Sequence, residues 1–377
     1  MLESLKTRLA SLGRQSTWAA AGLGACVLYL LGAVLLGIHW SQPPEQRSVD
    51  DVLTMTAPAD QNVTIGNATV GALIFITETL LEKPGGYLSN DVTPPGLWLD
   101  NMPNWEFGAL VQARDLARSL RKDLSRSQSQ STEDADLVVA EPALNYDSGK
   151  WFPSAESSYQ KAVTSLNSYQ RRLATRGENA QLYARADNLK NYLADVETRL
   201  GSLSQRLSAS VGQARFNTDL AGDPAANQST MDVSERIVKT PWMEIDDVFF
   251  EARGSAWALL HILRAIEADF GSVLENKNAR VSLKQVIREL EATQQTVWSP
   301  MILNGFGFGI FAIATALIYR RPVPVQPMKA VAAMGIAGLA GPEVLIATGC
   351  LLGLTLIILS KTDAIGWMKR LVPNTVL

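Results

Sequence analysis

The chain has 377 residues, of which 47% are hydrophobic, and its formal net charge is −3. This hydrophobic fraction is high for a wholly soluble protein and predicts membrane segments. The small net charge argues against DNA or RNA as a partner, because nucleic-acid binders usually carry a basic field. Cys26 and Cys350 each lie in an apolar run, so we predict neither a disulfide nor a thiolate metal site.

Residues 18–40 contain the uncharged run AAAGLGACVLYLLGAVLLGIH, which is long enough to cross a bilayer as a helix. A cleavable signal peptide is the alternative, but this run exceeds the usual apolar length of about 7 to 15 residues, and no small-x-small cleavage site follows it. The run is preceded by the basic residues Lys6, Arg8 and Arg14. The positive-inside rule therefore predicts an uncleaved signal anchor, with residues 1–17 in the cytoplasm and residues 41–300 outside it.

Residues 41–300 are predicted to fold as an all-α bundle. Residues 41–60 are polar and contain prolines, which is typical of a spacer. Apolar residues then recur at steps of three and four, which predicts helices over Ala68–Glu82 and from Pro103 to Leu124. A further seam runs from Ile245 to Phe270 and requires a helical partner, for which a helix over residues 280–298 is one candidate.

Residues 154–211 carry the clearest periodicity of the soluble region. Apolar residues repeat by three and four on both sides of Arg176-Gly177-Glu178. Two long helices joined by a short glycine-containing turn would form an antiparallel coiled-coil hairpin. Such helical seams predict either an envelope protein partner or a homo-oligomer.

The C-terminal region becomes apolar again. Residues 301–320 predict a transmembrane helix, and Arg320-Arg321 would begin a cytoplasmic loop over residues 321–329. Residues 330–360 either cross the membrane or enter it and return near Gly341-Pro342, and residues 361–377 form the tail. Glu343 is an acid within this region, and it either has a function in the membrane or sits at the interface.

A turn-rich segment, GGYLSNDVTPPGLWLDNMP, separates the first two predicted helices of the bundle. Polar groups displayed on a loop above a rigid scaffold are typical of contact sites, although these residue types also cap turns and helices. We define residues 83–100 as the interaction loop. The candidate contact residues in and beside it are Tyr87, Asn90, Asp91, Trp98, Asp100, Asn101, Trp105 and Glu106.

Chemistry-bearing motifs are sparse. Asp247 and Glu251 are four residues apart on one helical face and form a weak candidate acidic site, for which a solvated acidic face is the alternative. The two histidines, His39 and His261, complete no metal-binding pattern with them. No hydrolase, P-loop or dinucleotide motif is present. We predict no catalytic residue, no cofactor and no metal.

The block from Lys83 to Leu137, KPGGYLSNDVTPPGLWLDNMPNWEFGALVQARDLARSLRKDLSRSQSQSTEDADL, resembles the signature of a proteobacterial inner-membrane family of unknown function. The resemblance extends from the anchor to about Gly305. It implies an anchored Gram-negative envelope protein with a helical periplasmic domain, and no established activity. The run FAIATALIYRRP and the apolar segments after it depart from the family pattern.

These observations lead to one expectation of function and one alternative. The expectation is an interaction or scaffold protein anchored in the bacterial inner membrane, with its main domain in the periplasm and the lipid bilayer as one partner. The alternative is an enzyme or ligand carrier that acts on envelope lipid or cell-wall material through loop and helix carboxylates.

Overall fold

The computed structural model describes residues 24–57, 64–127, 131–175, 178–210, 212–216 and 235–295. Within these residues the chain is mainly helical, as predicted, with one pair of short antiparallel strands. The helices are α1 (residues 24–40), α2 (Val49–Thr56), α3 (Asn67–Glu82), α4 (Asn101–Ser119), α5 (Ala135–Leu144), α6 (Ala155–Ala174), α7 (Ala186–Ala209), α8 (Ile245–Asp269), α9 (Gly271–Asn276) and α10 (Arg280–Ala292); the strands are β1 (Gln213–Phe216) and β2 (Glu235–Val238).

Three predicted helices are confirmed with small shifts at their ends. The predicted helix over Ala68–Glu82 is α3, and the predicted seam from Ile245 to Phe270 is α8. The helix predicted to start at Pro103 is α4, which begins at Asn101 and continues as a π turn through Leu124. α8 packs most extensively against α4, whereas α10, the partner predicted from the sequence, covers a smaller part of it.

The helices run between two ends of the bundle. At one end, Asn90 Nδ2 lies 3.1 Å from Lys150 O, and Asn104 Nδ2 lies 2.7 Å from Asp247 Oδ1, which brings together the starts of α4, α6 and α8. At the other end, the distal end, Asp269 closes α8 onto the start of α3 by accepting hydrogen bonds from Gly66 N and Thr69 N. We call the first of these the α1 end, because the last turn of α1 is attached there.

α4 and α8 approach each other so closely that glycine is required on both. A Cβ atom added to Gly108 would lie 2.0 Å from Glu251 O, and one added to Gly254 would lie 1.9 Å from Trp105 O. The rings of Trp105 and Trp257 meet beside this crossing, with their centroids 5.0 Å apart. Both obstructing atoms are backbone oxygens, so the crossing excludes any side chain at these two positions.

The predicted coiled-coil hairpin over residues 154–211 is corrected by the structure. Both of its helices exist, but α6 packs against α5 and α3, whereas α7 packs against α8 and α4. The connection between them does not reverse the chain tightly, because Tyr183 N donates to Leu124 O at 2.7 Å and carries the chain across to the end of α4. The periodicity identified the apolar stripes, but a stripe does not specify the helix that covers it.

The predicted spacer over residues 41–60 contains a helix. α2 begins with a capping box, in which Asp51 N donates to Ser48 Oγ and Ser48 N donates to Asp51 Oδ2, each at 3.2 Å. α5, α9 and the two strands were also absent from the sequence expectation. They are short, and short elements carry too few periods to stand out.

The predicted membrane segments lie only partly within the described residues. Among those residues, no helix has both the length and the apolar character needed to cross a bilayer. α1 corresponds to residues 24–40 of the anchor predicted over 18–40, so residues 18–23 lie outside the described part. The predicted segments at 301–320 and 330–360, with Glu343, also lie outside it.

Substitution of either crossing glycine should destabilise the bundle. We expect Gly108→Ala and Gly254→Ala each to lower the free energy of unfolding by about 2 to 4 kcal/mol, because the added methyl group overpacks a backbone contact. The measurement is urea unfolding of the full chain in detergent, followed by far-ultraviolet circular dichroism.

Gly201, in the middle of α7, is the matched control because an added Cβ there would meet no atom within 4 Å. Gly201→Ala should be neutral or stabilising by up to about 1 kcal/mol, since alanine favours helix over glycine. Equal unfolding midpoints for the three variants would contradict the close crossing.

Candidate interaction loop

A buried ion pair closes the interaction loop. Lys83 follows the last residue of α3, and Glu106 lies in the second turn of α4. Their charged groups are 2.5 Å apart, with 1% and 0% of the side chains exposed. Lys83 follows Ile76 and Leu80 at helical spacing, and both of these are fully buried, so the apolar stripe of α3 itself points Lys83 inward.

The Glu106 carboxylate is fully occupied by hydrogen bonds. It accepts from the backbone N–H groups of Leu88 and Ser89, each at 2.9 Å, and from the Ser89 hydroxyl. Burial raises the pKa of Glu106, while the Lys83 ammonium and these donors oppose that shift. The carboxylate therefore ties residues 83–89 to α4, and it presents no free oxygen for chemistry.

The buried aromatic candidates belong to the core. Tyr87 packs edge-on against Tyr159, with ring centroids 5.4 Å apart, and it is 3% exposed. Trp105 is fully buried at the crossing of α4 and α8. Tyr87 and Trp105 are therefore not exposed for the partner contacts that the sequence predicted.

The polar candidates mostly cap and brace the loop. Asn90 is buried and donates to Lys150 O and to Glu156 Oε2. Asp100 is the N-cap of α4 and accepts from Asn101 N at 2.9 Å. The Asp91 side chain fills the space beside Gly96, and burial, followed by the charge of Glu156, raises its pKa.

What remains at the surface is an apolar turn. Trp98 and Leu97, in the 3-10 turn Gly96–Trp98, are 52% and 59% exposed. The next residue, Leu99, packs on α1: a Cβ atom added to Gly37 would lie 3.7 Å from Leu99 Cδ2. The ring of Trp40, at the end of α1, covers Gly85 in the same loop. The loop therefore joins α1 to the bundle and exposes Trp98 beside it.

The two residues of the candidate acidic site, Asp247 and Glu251, each contact a different partner. Glu251 forms a two-pronged ion pair with Arg206 of α7, while Asp247 accepts from Asn104. Burial raises the pKa of Asp247, and the neighbouring charges of Asp246 and Asp100 raise it further. Within the described part of the chain, no group of three or more His, Cys, Asp or Glu side chains is placed to hold a metal ion.

The family assignment follows from the length of the sequence match. Residues 13–319 match the family model DUF2333, described as an uncharacterized protein conserved in bacteria. The chain belongs to the DUF2333 family. This confirms the family resemblance inferred from the block Lys83–Leu137, and the DUF2333 match includes the interaction loop and the whole described bundle.

The C-terminal part of this DUF2333 member also resembles a second family. Residues 282–377 match a model described as molybdate transporter of the MFS superfamily. The two matches overlap from residue 282 to residue 319. No solved structure matches the chain.

His261 of α8 holds the segment between α1 and α2. Its Nε2 accepts from Arg47 N at 3.0 Å, so its Nδ1, 2.8 Å from Trp257 O, carries the proton and donates. Burial lowers the pKa of His261 to about 4, and the nearby Arg264 charge lowers it too. Sequence patterns assigned no role to His261, because no local feature indicates that Arg47, 214 residues away, contacts it.

Breaking one side of the Lys83–Glu106 pair should be costly. We expect Lys83→Met and Glu106→Gln each to destabilise the bundle by about 3 to 5 kcal/mol, because each leaves a buried charge without its partner. The double variant should lose clearly less free energy of unfolding than the sum of the two single losses. Urea unfolding of the native chain, the two single variants and the double variant measures this, with Glu82→Gln at an exposed neighbouring position as the control.

Additive losses in the double variant would contradict the buried pair.

The stability of the bundle should depend on pH through His261. Its unfolded pKa is about 6.5 and its folded pKa about 4, so protons bind the unfolded state more tightly. This contribution is complete above pH 6.5 and is lost as the pH falls, by about 2 kcal/mol at pH 5. Measured by urea unfolding, the stability difference between the native chain and His261→Gln should shrink by this amount between pH 7 and pH 5; a constant difference would refute the assignment.

Proposed function

We propose that this DUF2333 chain is a non-catalytic scaffold or interaction protein, anchored in the bacterial inner membrane with its helical bundle in the periplasm. The observation that carries the proposal is the surface of α1. Its exposed large side chains lie on every side of the helix except the packed face of Ala33 and Gly37: Val27, Leu28, Tyr29, Leu30, Leu31, Val34, Leu35, Leu36 and Ile38. A water-facing helix would be polar on at least one face, whereas lipid accommodates such a surface.

The attachment of α1 supports a bundle held directly at the membrane surface. Gly37 packs on the interaction loop, and Trp40 packs over Gly85. Tryptophan is favoured where a transmembrane helix leaves the hydrocarbon region. Lys6, Arg8 and Arg14 before the helix favour a cytoplasmic N-terminus and therefore a periplasmic bundle.

The end of α10 supports a second attachment at the same side. Arg253 donates to Gln294 O and Gln295 O, and it lies in the half of α8 nearer the α1 end. The chain therefore leaves α10 toward the end that carries α1. The predicted transmembrane segment 301–320 follows directly, and the molybdate transporter family matches this C-terminal region.

The engagement of the carboxylates favours a scaffold over the enzyme alternative. Glu106 and Glu251 are paired with Lys83 and Arg206, so their charges are already used to join segments. A general acid or base needs a proton-transfer path to a substrate, which a saturated buried carboxylate lacks.

An apolar groove is the surface that we assign to the partner. It has a volume of about 580 Å³ and lies between α7 and the pair α9 and α10, over α8. Its apolar lining includes Leu189, Leu193, Val196, Leu200, Leu263, Leu274, Leu283 and Val286. The α7 members, from Leu189 to Leu200, belong to the apolar seam that the sequence predicted to pair with another helix. A helix of an envelope protein that carries an apolar stripe would cover this groove.

The proposal is tested in intact cells by a photo-activated cross-linker at Val286, on the groove rim. We expect the full chain to remain in the membrane fraction after alkaline extraction and to form a defined cross-link to an envelope protein. Gly201 lines the groove, so Gly201→Leu should abolish the cross-link, whereas Gly201→Ala should preserve it.

Two outcomes would refute parts of the proposal. Release of the chain by alkaline extraction would refute the anchor. A cross-link that Gly201→Leu leaves unchanged would refute the groove as the partner site.

A further inference from the structure

We infer that the α1 end of the bundle rests in the headgroup region of the membrane, held there by three exposed apolar turns. These turns are Leu97–Trp98, Trp151–Phe152 and Trp242–Met243. The inference rests on the proposed membrane anchor and adds a second contact with the bilayer, made by the bundle itself.

Each turn exposes large side chains that a water-facing surface would avoid. Trp98 is 52% exposed, Phe152 is 82% exposed and Trp242 is 63% exposed. The residue beside each of these is also more than half exposed: Leu97, Trp151 and Met243. Hydration of such apolar surface is unfavourable, so burial of the three turns against a partner would be stabilising.

Hydrogen bonds place all three turns at one end. The turn at 151–152 is brought to the interaction loop by the contact of Asn90 with Lys150 O. The turn at 242–243 precedes α8, whose first turn is held to α4 by the contact of Asn104 with Asp247. Leu97 and Trp98 lie directly before Leu99, which packs on α1.

Exposed large aromatic side chains after α1 are found only at this end, among the residues whose exposure the structure describes. They are Trp98, Phe107, Trp151, Phe152 and Trp242, and each lies in one of these turns or in the first two turns of α4. At the distal end the exposed large residues are aliphatic, as with Ile65 and Val281. Tryptophan at one level beside an apolar helix is the arrangement found at membrane interfaces.

The charges at this end select the kind of lipid surface. The turns lie among charges of both signs, the acids Asp91, Asp100 and Asp247 and the exposed base Lys150 next to Trp151, so neither an anionic nor a cationic surface is favoured. The turns therefore fit zwitterionic headgroups, with insertion driven by apolar side chains rather than by charge.

The test uses the full chain with Cys26 and Cys350 replaced by alanine and single cysteines introduced one at a time. Trp98→Cys, Phe152→Cys and Trp242→Cys carry an environment-sensitive fluorophore at the three turns. Ile65→Cys and Val281→Cys are matched exposed controls at the distal end, roughly the 37 Å length of the 25-residue α8 away. Leu35→Cys reports on the anchor itself.

The labelled proteins are reconstituted in phosphatidylcholine vesicles, with and without a nitroxide quencher on the lipid headgroup. We expect blue-shifted emission and headgroup quenching at the three turns, and neither at Ile65→Cys or Val281→Cys. Circular dichroism of each variant confirms that the bundle is folded.

The outcomes separate this inference from the anchor on which it rests. Blue-shifted emission at Leu35→Cys, with turns quenched no more than the distal controls, would overturn the inference alone. Absence of a blue shift at Leu35→Cys would overturn the anchor and this inference with it. A blue shift at the turns without headgroup quenching would identify a protein cover and would also overturn the inference.

Discussion

The rest of the bundle depends on the crossing of α4 and α8. Gly108 and Gly254 let the two backbones touch, and the helices are thereby fixed in register as well as in angle. The residues next to the crossing hold the surrounding segments: Glu106 holds the interaction loop, Glu251 holds α7 and Arg253 holds the end of α10. A shift of either helix would separate these groups from their partners, so the crossing positions the interaction loop, α7 and the end of α10.

Buried charge is used in this bundle to position segments. Glu106 with Lys83, and Asp115 with Arg199, each join residues from different elements. A buried pair gains little stability over an apolar replacement, but a charge without its partner is costly. Such pairs destabilise alternative packings of the helices. They also explain why carboxylates that look like candidate site residues in the sequence are already paired in the structure.

The two ends of the bundle differ in a way that suits a surface-bound protein. At the distal end, Asp269 ties α8 to the start of α3 through polar contacts. The α1 end carries the apolar helix, the exposed tryptophans and the end of α10. With the proposed attachment at the α1 end, the sides of the bundle would remain free, and the α7 groove lies along one of them. The proposed scaffold role, with a partner at a lateral surface, fits this arrangement.

Local periodicity and composition determined much of this protein. The positions of α3, α4 and α8, the apolar run of α1 and membership of the DUF2333 family could all be read from the sequence, because each depends on residues close together in the chain. Tertiary structure alone decided which helix covers each stripe, and it separated α6 from α7. It also placed Tyr87, Trp105 and Glu106 in the core and left Trp98 exposed. Those outcomes depend on contacts such as Lys83 with Glu106 and His261 with Arg47, whose partners are distant in sequence and whose pairing no local pattern encodes.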